Sequence, residues 1–383
     1  MSALYGARKS GTKVALIACG LGRINRGFES TTSNWFHALK SNSVADVDLF
    51  GGGSMAEGKR IFNFSRNGWM CRRLRCLGLI HDGCRVEQAS FAVGLLPSLF
   101  SWRPQVIWFQ EYTLGLWLLK WRHWFGFDYR LLYCNGAPLG PREYERFDFI
   151  HHLDPQSYRD GLAAGLSAER MTMFPHVLPS LPIVSRAKGL KWRTKQGIPA
   201  EAWVVLSAAA WNKHHKRIDY LVREVAGMND PNVHLLLSGQ REAETPDVER
   251  LAQEILPGRV HWRTLPQADM PLAYAAADAF VLASLTEAFG LVLIEAAARG
   301  LPTLAHSHPA GRFILEDDEW LADLAKPGAL TRRLQAWKRD LDLSARAGTL
   351  REKVVRRFSA EKLTPQFVAL LERVAAMPIG SAR

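Results

Sequence analysis

Short apolar runs alternate along this chain with longer stretches whose apolar positions recur at helical spacing. Lys13–Gly20, Val44–Phe50, Gln105–Gln110, Arg130–Asn135 and Asp148–Leu153 read as strands in the first half. Ala202–Ala210, Asn232–Gly239, Arg259–Leu265, Ala279–Ala283 and Leu301–His306 repeat the rhythm in the second. Strands alternating with helices predict parallel sheets, and runs with so few polar positions predict strands covered on both faces. Helices are expected from near Ser30–Ser33, over Leu114–Phe127, after Arg217, over Met270–Ala277, over Pro327–Leu350 and over Ser359–Met377. The segment Pro175-His-Val-Leu-Pro179-Ser-Leu-Pro182 breaks the rhythm and predicts a hinge. The expected division is a first α/β domain over residues 1–182, a second over 183–355 and a helical tail over 356–383.

Composition narrows the class. A chain of 383 residues, 48% hydrophobic and 22% charged, has room for two packed cores and the make-up of a globular protein. No apolar run is long enough to span a bilayer. Leu16-Ile-Ala-Cys19 has the look of a lipoprotein cleavage site, but the run before it is too short for a signal peptide and reads as the first strand. Five cysteines with no C-x-x-C pair argue against a disulfide framework or a zinc site, and for a reducing, cytoplasmic setting. The net charge of +12 is uneven: Lys59 to Arg85 holds seven Lys/Arg and one acid, with Phe62, Phe64, Trp69 and Met70 interleaved. Such a surface fits anionic lipid, a phosphorylated glycan or nucleic acid, and reads equally as the basic outer face of a helical hairpin. Leu114–Phe127 mixes Trp117, Trp121 and Trp124 with Lys120, Arg122 and His123; it reads first as a covering helix and second as an interfacial one.

The stretch Ser284–Pro302 (S-L-T-E-A-F-G-L-V-L-I-E-A-A-A-R-G-L-P) carries the strongest chemical signal. A buried strand, Ala279–Ala283, delivers a turn containing Glu287 and Gly290, and a helix follows until Gly300 and Pro302 close it. On that helix Leu291, Ile294 and Ala298 share a face, with Glu295 expected off it. A strand, a glycine turn and a helix N-terminus together suit a diphosphate, and carboxylates beside them can accept hydrogen bonds from sugar hydroxyls. A second glycine turn, Gly20-Leu-Gly22-Arg-Ile-Asn-Arg-Gly27-Phe-Glu29, follows the first strand without the third glycine of a dinucleotide site. Polar strand ends at Gln110-Glu111, Asn135-Gly136 and His151-His152 fall where doubly wound sheets bind ligands; each histidine alone reads as well as a satisfied core residue.

The pair Glu287 and Glu295, spaced E-x7-E around A-F-G and followed by A-A-A-R-G-L-P, resembles the donor site of the family-four retaining glycosyltransferases, the glycosyltransferase group 1 type. The resemblance is specific over about residues 202–303 and implies the GT-B fold: two Rossmann-like, doubly wound α/β domains facing across a cleft, with the last helix packing back towards the first domain. It implies that Glu287 meets hydroxyls of the donor sugar, that Glu295 meets the nucleotide ribose, and that backbone around Phe289, Gly290 and Leu291 lies against the diphosphate. Lys216 matches a family lysine that grips the diphosphate. The arginine usually found a few residues earlier is absent, with Trp211 or Asn212 near its place, so Lys213 or Arg217 would supply that charge. Thr264 and Leu265 would meet the base, and Gly22, Arg26 and Gly27 would line the sugar and acceptor side. Asn135 stands where many members carry a histidine facing the reacting sugar.

The expected activity is transfer of a hexose or related sugar from a nucleoside-diphosphate donor to a hydroxyl acceptor, a cell-envelope glycan or lipid-linked saccharide, with retention. No D-x-D closes a strand, since Asp46 and Asp48 lie within Val44–Phe50, so no metal and no cofactor beyond the donor are expected. The expected location is the cytoplasm, with peripheral contact to an anionic membrane and no nucleic-acid partner. Two other readings stand beside it: a nucleotide-sugar epimerase or phosphorylase of related fold, and a degenerate scaffold that binds a partner.

Overall fold

The computed structural model describes residues 10–24, 26–41, 45–136, 139–179 and 182–379. Its contacts form two compact units, residues 1–177 with 360–383, and residues 178–359. Ser180 and Leu181 of the proline-rich hinge, Val44 of the second expected strand and Asn25 of the glycine turn lie outside the described residues.

In the first unit the described strands are β1 (Ser10–Ala18), β2 (Ala45–Gly51), β3 (Lys59–Arg60), β4 (Val106–Phe109), β5 (Arg130–Asn135), β6 (Phe149–His152) and β7 (Met171–Met173). They pair in parallel in the order β3-β2-β1-β4-β5-β6-β7. Val14–Ala18 and all of β4 are buried, as strands covered on both faces require. Alternate residues serve opposite layers. Ala15, Ile17, Ile107 and Phe109 pack with Phe91 and Leu95 of the helix Gly83–Trp102 and with Leu114 and Leu118 of the helix Tyr112–Phe125. On the other face Trp108 meets Phe367 of the last helix, Ala360–Ala376, and that phenylalanine lies 4.1 Å from Trp35 of the helix Gly27–Ser41. His151 belongs to this layer: its Nδ1 accepts from Trp108 Nε1 at 3.2 Å, and burial pulls its pKa down to about 4. It is a neutral core histidine.

In the second unit β8 (Trp203–Ala208), β9 (Val233–Ser238), β10 (Val260–Arg263), β11 (Ala279–Leu282), β12 (Thr303–His306) and β13 (Leu321–Ala322) pair in parallel in the order β10-β9-β8-β11-β12-β13. Ile218, Leu221, Val222 and Val225 of the helix Ile218–Ala226 form its buried stripe. Each sheet therefore reverses its winding between its first and fourth strand, the point where a doubly wound sheet opens a crevice at its carboxyl edge.

Two expected helices change. The first begins at Gly27 rather than near Ser30. The helix predicted over Pro327–Leu350 is two, Ala329–Arg339 and Leu343–Phe358. Asp340 adopts an extended backbone, and its carboxylate accepts the Asp342 N–H at 3.0 Å, a local bond that competes with the helical ladder.

Gly22 is the glycine this frame depends on most visibly. Its φ is +80°, and a Cβ there would fall 2.5 Å from the Ser54 carbonyl oxygen. Gly22→Ala should lose about 1–2 kcal/mol for the left-handed backbone and about 1–3 kcal/mol more for overpacking. Gly126→Ala, at φ +64° with open space around it, should lose the first amount alone. Urea unfolding of the two variants checks this; equal midpoints would contradict it.

Candidate functional site

In the second unit the chemistry gathers where β8 and β11 part. The loop after β8 is shaped by Asn212, a buried side chain whose Oδ1 accepts the backbone N–H of His215 at 3.1 Å and of Lys216 at 2.7 Å. Its amide in turn donates to Glu242 at 2.9 Å. Arg217 follows at φ +51°, a left-handed conformation costly for a side chain of that size and held here at the helix start. This turn aims Lys216 at the loop after β11, where its ammonium bonds Glu287. His215 Nε2 lies 3.3 Å from the Thr286 carbonyl, and Arg217 donates to the carbonyls of Ala283 and Leu324. Three consecutive residues thus tie one loop to the other.

Burial alone would push the Glu287 carboxyl up, but the Lys216 ammonium overrides it and holds the group below its ordinary range. Both side chains are largely buried, so each charge depends on the other.

The other residues singled out from sequence take distinct places. Lys213 does not join this group: it is half exposed, 2.7 Å from Asp247, and its backbone N–H goes to Glu244. Of the two alternatives for the missing arginine's charge, Arg217 is the one beside the loop of Glu287. Glu295 is not turned off the buried face. The helix Leu291–Ala297 is buried nearly all round, and the Glu295 carboxylate accepts from Tyr274 Oη at 2.7 Å and from Gln267. Burial raises its pKa. Phe289 is buried edge-on to Phe358, and Gly290, at φ +89°, precedes Leu291 at the helix start. Thr264 and Leu265 follow β10; Thr264 Oγ1 donates to the Gly239 carbonyl at 2.7 Å.

The first unit has its own polar group where β1 and β4 part. Glu111, two residues past β4 and just before the helix Tyr112–Phe125, is buried and accepts the Cys19 N–H at 2.8 Å. Glu29, in the first turn of the first helix, is also buried and pairs with Arg26 at 2.7 Å. Gly20 makes room for it: a Cβ there would lie 2.3 Å from Glu29 Oε1. One oxygen of each acid is buried with no hydrogen-bond partner among the described residues. Burial, then the neighbouring Glu29, pushes Glu111 up to about 7. Asn135 stands two strands from β1, its amide 3.4 Å from His152 Nδ1 and its Oδ1 buried without a partner among the described residues. Gly22 packs on Gly53, and Gly27 has open space where a side chain would go.

Sequence reasoning passed over Glu111, Glu29 and Asn212 as site builders. Glu111 was visible as a polar strand end, but nothing in the chain pairs it with Glu29, which lies 82 positions earlier.

The glycosyl transferases group 1 family model matches residues 190–353. The chain is 30% identical over 183 residues to a lipopolysaccharide core biosynthesis glycosyltransferase, LpsE, of Rhizobium meliloti (strain 1021). That match takes in 47% of this chain and 52% of the relative, so the chain spans about half the length of the curated protein it matches. Sucrose-phosphate synthase from Thermosynechococcus elongatus superposes with a TM-score of 0.78 at 21% identity, over 95% of this chain and 99% of the other. Anabaena Alr3699/HepE, in complex with UDP and glucose, gives 0.76 at 16% identity, over 94% and 99%. At these identities the likeness is one of fold, and the fold is GT-B.

The raised pKa of Glu111 has a definite sign. A carboxyl that holds its proton more tightly when folded stabilises fully below its ordinary value of 4.5, and that stability is lost as pH rises through about 7. Wild type should therefore lose on the order of a few kcal/mol between pH 5 and 8 that Glu111→Gln keeps. Urea midpoints across that range decide it; parallel pH profiles for the two proteins would refute the assignment.

Proposed function

We propose that the chain, which matches the glycosyl transferases group 1 model over residues 190–353, is a member of that family and moves a sugar from a nucleoside-diphosphate donor to a hydroxyl acceptor with retention at the anomeric carbon. The observation that carries this reading is the Lys216–Glu287 pair at the β8–β11 parting, with Arg217 beside it. A donor has two parts that suit the two partners. Its diphosphate takes Lys216, and its sugar hydroxyls take Glu287, so the ion pair is exchanged for bonds to one ligand.

As the bond from the anomeric carbon to the diphosphate breaks, negative charge grows on the leaving oxygen. Lys216 and Arg217, fixed in advance, stabilise that charge without reorganising. The new bond forms to the acceptor oxygen on the same face, and the acceptor proton passes to the leaving phosphate oxygen. Glu295 would serve the ribose by giving up its bond to Gln267 while keeping Tyr274. Thr264 and Leu265 are assigned to the base, and Gly22, Gly27 and Asn135 to the acceptor side. Metal independence is part of the proposal: Asp46 and Asp48 lie inside β2, where Asp48 is paired with Lys59.

The bound UDP and glucose of the Anabaena protein make uridine diphosphate hexoses the first donors to try. The lipopolysaccharide-core relative points to a cell-envelope or lipid-linked saccharide as acceptor. Five free thiols suit the cytoplasm as the working compartment.

A thermal-shift panel of nucleotide sugars, followed by NMR of the product's anomeric configuration, tests the whole reading; an inverted product or no nucleotide binding would end it. Lys216→Ala should weaken diphosphate binding and cost about 2.7–4 kcal/mol of transition-state stabilisation. Glu287→Ala should lower turnover while leaving nucleoside-diphosphate binding nearly unchanged. Activity should persist in excess chelator. Full activity of Glu287→Ala, or strict dependence on an added divalent ion, counts against the mechanism.

A further inference from the structure

The helix Trp69–Cys76 is eight residues long and buries one of them, Cys71. Gly68 gives it no side-chain cap, and no acid stands in its first turn. So short a helix is marginal on its own, and this one gains little from the core beneath it. Its large apolar neighbours face outward instead: Phe62 is 68% exposed, Trp69 67%, Leu77 64% and Leu79 68%. All four fall within the eighteen residues Phe62–Leu79.

The charges around them are only partly neutralised from within. Lys59 is paired with Asp48, Arg66 with the buried Glu87, and Arg85 lies 3.9 Å from Asp82. Arg72, Arg73 and Arg75 are exposed and have no carboxylate partner among the described residues. A second copy of so basic a face would be repelled. A single-stranded polyanion would use Trp69 and Phe62 as stacking platforms but has no use for Leu77 and Leu79. An interface that offers hydrocarbon beside phosphate uses every one of them. No helix among the described residues is long and apolar enough to cross a membrane, so the contact is one of lying on the surface.

We infer that Phe62–Arg85 is a membrane-docking surface: Phe62, Trp69, Leu77 and Leu79 enter the headgroup boundary of a leaflet rich in anionic lipid, and Arg72, Arg73 and Arg75 hold its phosphates. The surface binds lipid whether or not the sugar chemistry is as proposed above. Docking also gives the short helix the packing partner that the protein withholds.

Flotation of the full chain with phosphatidylcholine vesicles, with and without phosphatidylglycerol, tests this. Wild type should float with the anionic vesicles, less as salt rises, and stay behind with phosphatidylcholine alone. Arg72→Glu, Arg73→Glu and Arg75→Glu together should weaken binding by about 100-fold or more, each lost positive charge counting for about fivefold. Trp69→Ala with Leu79→Ala should weaken it at every salt concentration. Circular dichroism and the thermal shift on nucleotide should match wild type in both variants, which separates loss of docking from loss of fold. Three outcomes overturn the inference: wild type fails to float with anionic vesicles; the triple variant floats as well as wild type; or the surface instead mediates dimerisation or binding to single-stranded DNA without flotation.

Discussion

Parallel strands covered on both faces leave a chain few places for polar chemistry. In the central strands of each sheet most side chains are buried and apolar, so charged groups collect in the outer strands and at the carboxyl edge, where the backbone turns out of the sheet. The order of strands then selects one point on that edge, between the first and fourth strand of each unit, where successive loops part to opposite sides. Lys216 and Glu287 meet at that point in the second unit, and Glu111 reaches Cys19 at the same point in the first. The two sites differ in residue type but answer the same constraint.

Much of this was readable in the chain because its causes are local. The apolar runs marked every long strand, since a strand buried on both faces has no polar alternation to hide it. The strand, turn and helix around Glu287 were readable because an apolar run, a glycine turn and a Gly-Leu-Pro stop follow one another within a short stretch. The misreadings have equally physical causes. The predicted helix over Pro327–Leu350 broke because one carboxylate, Asp340, took a neighbouring N–H that the ladder would have used. Glu295 was misplaced because helical periodicity assigns charged residues outward. Here a tyrosine on another helix, Tyr274, supplies the hydrogen bond that makes burial tolerable. Glu29 and Glu111 needed the topology itself, because only the pairing of β1 with β4 brings them together.

The second unit holds its loop ends by an economy of contacts. One amide, Asn212, organises the backbone that presents Lys216, and a strained Arg217 closes the turn. The strain and the ion pair support each other. Without Glu287 the lysine would be a largely buried cation with no counter-charge, and without the turn it would not reach.

Gly20 carries a consequence for how this protein can drift. The space above its α-carbon is filled by Glu29 Oε1, so the two positions are coupled although they lie nine positions apart. A side chain at position 20 would have to push the Glu29 carboxylate aside, out of its place beside Arg26. Substitution at position 20 should therefore be felt at Glu29 and, through it, at Glu111.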